Sequence, residues 1–327
     1  MSRLSLDALC DRIASTEAPL VLMHVRPDGD TVGSAAALMH IFRALGREPR
    51  CLCADPIPSR LAFLMKGLNA EFPKPDAAYT ALSVDVASRG QLGNLADLLV
   101  GELAPAYMID HHGRGEEFAD CYRDPDASAA GEIVYAVALR MQERGMLGEL
   151  SPALIDSLFA AISSDTGCFK FSNATEKTHL AAARLIALGA NAAEINRKLF
   201  DTKSHGQVAA EGYIASHIRL HPSKRIASAL LTRGIISGLG LISEHFDTAI
   251  DIVRSLEGVE VAVLVKETDD GRYKISLRSV GLDVSAIAAA FGGGGHIRAA
   301  GCTLTADSAE AAEETILGCI ADALGKI

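Results

Sequence analysis

A chain of 327 residues that is 49% hydrophobic is long enough for two domains and apolar enough to give each a core. Its formal net charge of -10 argues against a broad duplex-binding surface, and the lack of tryptophan argues against an extended base-stacking platform. Seven scattered cysteines, of which only Cys51 and Cys53 lie close together, suit a reduced cytoplasmic chain better than a disulfide framework or a zinc site.

The opening MSRLSLDALCDRIAS reads as an amphipathic helix, and no run of about 18–20 apolar residues suggests a membrane span. PLVLMHV (19–25), EPRCLCA (48–54), AAYTALSVDV (77–86) and APAYMID (104–110) are predicted strands. Between them fall a helix at TVGSAAALMHIFRAL (31–45), a short helix after ADPIPSR and a helical stretch near 89–100. Strands alternating with helices predict a parallel sheet with right-handed crossovers and helices on both faces. From residue 128 the pattern turns helical, in SAAGEIVYAVALRMQERG, SPALIDSLFAAISSD and TEKTHLAAARLIALG. Ser128 is the expected cap of the first, Ser151-Pro152 the start of the second, and Gly145 and Gly189 the stops.

Residues 191–221 suit a helical linker between an α/β domain at 1–190 and a smaller α+β domain at 222–327. In the latter, RIASALLT is strand-like and SEHFDTAIDIVRSLEG (243–258) reads as one helix. VEVAVLVKE and YKISLRS form a hairpin around Asp270-Gly271. The helix DVSAIAAAF, the run GGGGH, a strand near 301–305 and a closing helix complete a mixed sheet.

The acids fall at strand ends. PLVLMHV delivers His24, Asp28 and Asp30; SVDV carries Asp85; YMID ends in Asp110, His111 and His112; and SPALIDSLFAAISSD ends in Asp165. Open α/β sheets bind ligands outside the carboxyl ends of their strands, so these segments aim Asp and His at one crevice. Carboxylates so crowded repel one another unless cations intervene. Mixed carboxylate and imidazole donors suit Mn2+ and related ions, and there are enough for two, with one aspartate bridging.

HVRPDGDTVGS, SVDVAS, IDHH and SSDTGCFKFSN, followed by KISLRS and DVSAIAAAFGGGGHIRAAG, resemble in order the motifs of the DHH phosphoesterase family and its DHH-associated C-terminal domain. The two-domain layout resembles the branch that degrades very short oligonucleotides and removes the 3′-phosphate of 3′-phosphoadenosine 5′-phosphate (pAp). The resemblance implies a hydrolase with two Mn2+ ions, Mg2+ or Co2+ being substitutes. His24 and Asp28 would hold the first ion, Asp30, His111 and Asp165 the second, and Asp85 would bridge. Asp110 would orient a ligand histidine, and His112 would meet the substrate phosphate or move a proton.

Arg114, in the GRGEEFAD segment where relatives often have Pro and Asn, is a candidate phosphate contact, and Lys170, Ser172 and Asn173 could line the same cleft. Phe169 and Phe171 read as core residues. Gly293, Gly294 and Gly295 can form an anion-binding nest, which His296, Arg298, Arg278 and Ser279 would complete for a nucleotide end. No GKS or GKT follows the glycines, so nucleotide-triphosphate hydrolysis is not expected. The expected reaction is in-line, metal-assisted hydrolysis of short single-stranded RNA or DNA or of pAp, with the second domain closing over the first. No duplex or membrane partner is expected, and a homodimer is compatible with the layout. The competing readings are a cyclic or linear dinucleotide phosphodiesterase, a pyrophosphatase or exopolyphosphatase, and a non-catalytic nucleotide-binding module.

Overall fold

A computed structural model describes residues 2–68, 79–97, 105–246 and 248–325, with the His296 side chain also left aside. The chain forms two compact units, Met1–Thr202 and Lys203–Ile327. The expected linker divides between them. Ile195 and Leu199 are buried in the first unit's core, whereas Ala210 and Ile214 are buried in the second's.

The first unit runs α1 (Leu6–Ser15), β1 (Pro19–Leu22), α2 (Gly29–Ala44), β2 (Arg50–Leu52), a 3-10 segment Ser59–Met65, β3 (Thr80–Val84), a second 3-10 segment Arg89–Asp97, β4 (Tyr107–Asp110) and β5 (Asp120–Arg123). Helices α3 (Ala130–Glu143), α4 (Pro152–Asp165), α5 (Glu176–Ala187) and α6 (Ala192–Asn196) follow, and the π turn Arg197–Asp201 ends it. The expected strand and helix ends at 77, 78, 98–100 and 104 lie outside the described residues. The five strands are all parallel, in the order β2-β1-β3-β4-β5. The sheet reverses direction of growth between β1 and β3, so a crevice opens there at the strands' carboxyl ends. One face packs on α1 to α4 through Val21, Leu82, Val84 and Ile109; the other carries Leu92 and Leu95 of the kinked Arg89–Asp97 segment.

Local chemistry sets the helix ends. Ser151 caps α4 by accepting from Leu154 N–H, with Pro152 in the first turn, and Gly145 and Gly189 stop their helices at positive φ. Ser128 does not cap α3: Ala129 holds that position, Ser128 Oγ donates to Glu132, and the first-turn N–H groups of α3 go to Asp30.

The second unit contains α7 (His205–Ser216), β6 (Arg219–Leu220), β7 (Ile226–Leu231), α8 (Arg233–Gly238), α9 (Ile250–Arg254), β8 (Val261–Glu267), β9 (Tyr273–Ser279), α10 (Val284–Ala290), β10 (Gly294–His296), β11 (Ala299–Leu304) and α11 (Ala309–Leu324). Its mixed sheet has the order β10-β11-β9-β8-β7-β6, with only β7 and β8 parallel. The expected single helix at 243–258 is instead a 3-10 turn Ser243–Phe246 and the short α9. Between the two the sequence reads Asp-Thr, residue types that compete with the helix backbone. No helix among the described residues is long and apolar enough to cross a membrane.

Candidate metal centre

Three loops at the carboxyl ends of β1, β3 and β4 and the last residue of α4 meet in the crevice of the first unit. Asp28 caps α2, accepting from Asp30 and Thr31 N–H at 3.0 and 3.1 Å, which fixes the PDGD turn. Asp85 follows β3 at φ 59°, a left-handed conformation rare for a non-glycine residue but tolerated by short polar side chains. The chain turns sharply there, and the Asp85 carboxylate is buried in the crevice.

The two oxygens of Asp85 face different groups. Oδ2 is 3.5 Å from His24 Nε2, which is 3.7 Å from Asp28 Oδ1. Oδ1 is 3.5 Å from His111 Nε2, which lies 3.7 Å from both Asp30 Oδ2 and Asp165 Oδ2. These separations are long for hydrogen bonds. They match donors sharing one ion, since bonds of about 2.0–2.2 Å at tetrahedral or octahedral angles put neighbouring donors about 3.0–3.6 Å apart. Asp85 Oδ1 is buried with no hydrogen-bond partner, an orphan that a cation would satisfy. His24 Nδ1 lies 2.8 Å from Val25 O and His111 Nδ1 3.2 Å from Ala127 O. Each ring therefore donates from Nδ1 to the backbone and presents the Nε2 lone pair to the carboxylates, as ligating histidines do.

The strand-to-helix corner before α3 holds the second group together. Ala127 O takes His111, Ala130 and Gly131 N–H donate to Asp30 at 2.6 and 3.0 Å, and Ser128 O takes the Asn173 amide, which also donates to Asp165 O. Ser34 Oγ adds a 2.9 Å bond to Asp30. A Cβ on Gly131 would lie 2.4 Å from Ala161 Cβ and 3.4 Å from Asp30 Oδ1, so only glycine allows both α3–α4 contact and the Asp30 cap.

Among the described residues no Lys or Arg pairs with Asp28, Asp30, Asp85 or Asp165, so protons take up the excess charge. Burial raises Asp30 well above the usual carboxylate range, and the neighbouring Asp85 adds to it. Burial also pushes Asp165 up to about 7, against the pull of His111 and with help from Asp28 and Asp85. At Asp85 the effect of burial is outweighed by His111 and His24, which hold its carboxyl far below that range. Burial alone would lower His24, but Asp28 and Asp85 carry it up to about 11. A divalent cation would displace these protons and leave nitrogen and oxygen donors of the kind Mn2+ accepts.

Asp110 does not orient His111. Its Oδ1 accepts from His112 Nδ1 at 2.7 Å, and its Oδ2 accepts from Arg123 Nε at 2.9 Å. Residues two apart on an extended chain share a face, which is why Asp110 reaches His112. Burial alone would lower the His112 pKa; the Asp110 bond and the charges of Asp85 and Asp110 together outweigh it and raise it. Arg123 is absent from the sequence-predicted set. It sits on β5, a four-residue strand whose only sequence signal is DCYR ahead of a Pro-containing turn.

The other expected residues are divided. Arg114 and Ser172 are exposed in the first unit, and Lys170 Nζ sits over the Phe200 ring at 5.8 Å. Phe169 packs on Phe159, as expected of a core ring, while Phe171 is 41% exposed rather than in the core. In the second unit Arg278, Ser279 and Arg298 gather at one corner, where Arg278 pairs with Ala299 and Ser279 N–H donates to Arg298 O. Ser279 is buried and its hydroxyl donates to Leu282 O, so that donor is already engaged. The glycines do not form a nest. Gly294–His296 is an edge strand on β11, and Gly293 and Gly295 are required by the backbone at Gly301 O and Ala299 O, 2.2 and 2.5 Å from their would-be Cβ atoms. The His296 side chain lies outside what the structure describes.

Residues 19–162 match the family profile described as DHH family, N-terminal domain, and residues 229–322 match the DHHA1 domain. The chain is 30% identical over 323 residues to the bifunctional oligoribonuclease and PAP phosphatase NrnA of Thermus thermophilus, covering 95% of this chain and 92% of the relative. It is 27% identical over 282 residues to the protein of the same name from Bacillus subtilis, covering 86% and 87%. Among solved structures, an exopolyphosphatase-related protein from Bacteroides fragilis aligns with a TM-score of 0.83 at 22% identity, over 96% of this chain and 95% of that one, a likeness of fold.

Proposed function

The chain belongs to the DHH family and carries a DHHA1 domain, and from that premise we propose that it is a metal-dependent phosphoesterase acting on short single-stranded oligonucleotides and on pAp. One observation carries the reading: the two oxygens of Asp85 face two separate His/Asp groups, each at 3.5 Å. In it, His24, Asp28 and Asp85 would hold one divalent cation, and Asp30, His111, Asp165 and Asp85 would hold the other. Mn2+ is the proposed ion. Bound there, the pair supplies Lewis-acid activation of water and of the phosphoryl group.

The protein's own part is positional. His112 keeps its proton on Nδ1 through Asp110 and Arg123, so Nε2 is the atom that meets a phosphoryl oxygen or passes a proton. Arg114 is the proposed phosphate contact of the same loop. Arg278, Arg298 and His296 are proposed nucleotide-binding residues of the second unit, with the glycine strand giving close backbone approach. A cytoplasmic homodimer is part of the proposal. Names of the relatives support the substrate class.

The test is a panel of pAp, a linear dinucleotide, a tetranucleotide, a cyclic dinucleotide and pyrophosphate, each with Mn2+ and with chelator. Metal-dependent release from pAp and the linear oligonucleotides is expected. Turnover of pyrophosphate or the cyclic dinucleotide alone would replace the substrate assignment.

A further inference from the structure

The first unit holds a cavity of about 250 Å3 lined by Ser59, Arg60, Phe63, Lys198 and Thr202. Lys198 comes from the π turn Arg197–Asp201, and its Nζ lies 4.7 Å from the Phe63 ring centroid. Phe200 of the same turn faces Lys170, Nζ to ring centroid 5.8 Å. Within the cavity one cation and one ring thus pair, with Arg60 as a second cation, in a chain whose net charge is -10; Lys170 and Phe200 form a separate pair outside its lining. Lys198 is the looser partner of Glu194, at 3.4 Å, because Arg197 takes both Glu194 oxygens at 2.8 Å.

Both walls of this cavity are anchored to the metal centre. Leu61, between Arg60 and Phe63, lies 3.7 Å from the Cβ position of Gly29, in the turn that carries Asp28 and Asp30. Asn196, beside the π turn, accepts from Ser163 Oγ at 2.6 Å, two residues before Asp165. Lys170 is five residues beyond Asp165. Two cations and a ring in one cavity tied to a phosphoester-cleaving centre have the chemistry of a single-strand subsite, cationic groups for phosphates and apolar ring surface for sugars and bases. The cavity is smaller than a typical pocket of about 300–1,000 Å3, which suits one nucleotide unit.

We propose that this cavity is a second nucleotide subsite, taking the nucleotide adjacent to the one at the metal centre when the substrate is a linear single-stranded oligonucleotide. The proposal rests on the phosphoesterase reading. A single nucleoside bisphosphate such as pAp has no second nucleotide to place there, so the subsite separates the two substrate types.

The test compares wild type with Lys198→Gln and with Arg60→Gln/Lys198→Gln, with Mn2+, on a tetranucleotide and on pAp. The expected result is a roughly tenfold fall in the ratio of the two kcat/KM values, carried by KM for the tetranucleotide. The slope of log KM against log salt should weaken by about 0.7 for each phosphate that the variant no longer neutralises. Phe63→Leu, which keeps apolar volume without a ring, should lower the same ratio to a smaller extent. An unchanged ratio, with an unchanged salt slope, overturns the subsite. If wild type cleaves neither substrate the phosphoesterase reading fails, and anisotropy of a labelled tetranucleotide decides the subsite. Weaker binding by the double variant supports it and equal binding overturns it.

Discussion

Gly131→Ala tests how the second cation group is built. The added Cβ would stand 2.4 Å from Ala161 Cβ, where carbon atoms prefer about 3.5–4.0 Å, so α3 and α4 must part by about 1 Å or more. That motion acts on the bonds from Ala130 and Gly131 N–H to Asp30, now 2.6 and 3.0 Å. Overpacking of this kind costs about 1–3 kcal/mol, partly offset by the better helix propensity of alanine, about 1 kcal/mol. Removing the groups that hold a ligand typically weakens metal binding about 10–100-fold. The assay is Mn2+ titration of chelator-stripped protein by calorimetry, with circular dichroism to show that the variant is folded. The tight stoichiometry is expected to fall from two ions toward one. Gly131→Ala/Ala161→Gly, which moves the methyl group to the other helix, should restore the second ion. A folded Gly131→Ala that binds both ions at wild-type affinity would refute the argument that α3 sets Asp30.

Asp85→Asn should keep the fold, because asparagine tolerates the left-handed backbone at this position, yet activity should drop to below about a hundredth and the thermal shift produced by Mn2+ should vanish; a retained shift would remove Asp85 from the centre. Asp165 is held up to about 7 without metal, above its unfolded value, so its neutral form favours the folded state below the usual carboxylate pKa and that contribution is lost as pH rises toward 7. Metal-free protein should therefore lose stability across that window, while Mn2+ affinity rises and binding releases protons; calorimetry in buffers of different ionisation enthalpy measures the release, and pH-independent affinity would contradict it. Arg123→Gln leaves buried Asp110 with His112 as its remaining charged partner and should cost about 3 kcal/mol in denaturant unfolding. In folded protein it should lower kcat more than it raises KM, and a pure KM effect would detach Arg123 from His112.

Much of this architecture is legible in the sequence because apolar runs ended by Asp and His, such as PLVLMHV before RPDGD, state both a strand and which end of it is chemical. Asp85 can be read as unusual because it stands between two valines. What cannot be read depends on contacts through space. Asp30 caps a helix that begins a hundred residues later, and Asp110 chooses between two adjacent histidines by the local direction of the chain. β5 is too short to show a period, so Arg123 stays hidden. The glycine run suggests an anion nest, but the close approach of Gly301 and Ala299 carbonyls makes it an edge strand. The segment 243–258 reads as one helix from its apolar spacing, yet it holds the 3-10 turn Ser243–Phe246 and the short α9.

The most direct measurement is anomalous diffraction at the manganese edge from crystals grown with Mn2+. Two peaks are predicted, one on each side of the Asp85 carboxylate, against His24 and Asp28 on one side and Asp30, His111 and Asp165 on the other. A single peak, or two that leave either Asp85 oxygen without an ion, would contradict the two-cation centre.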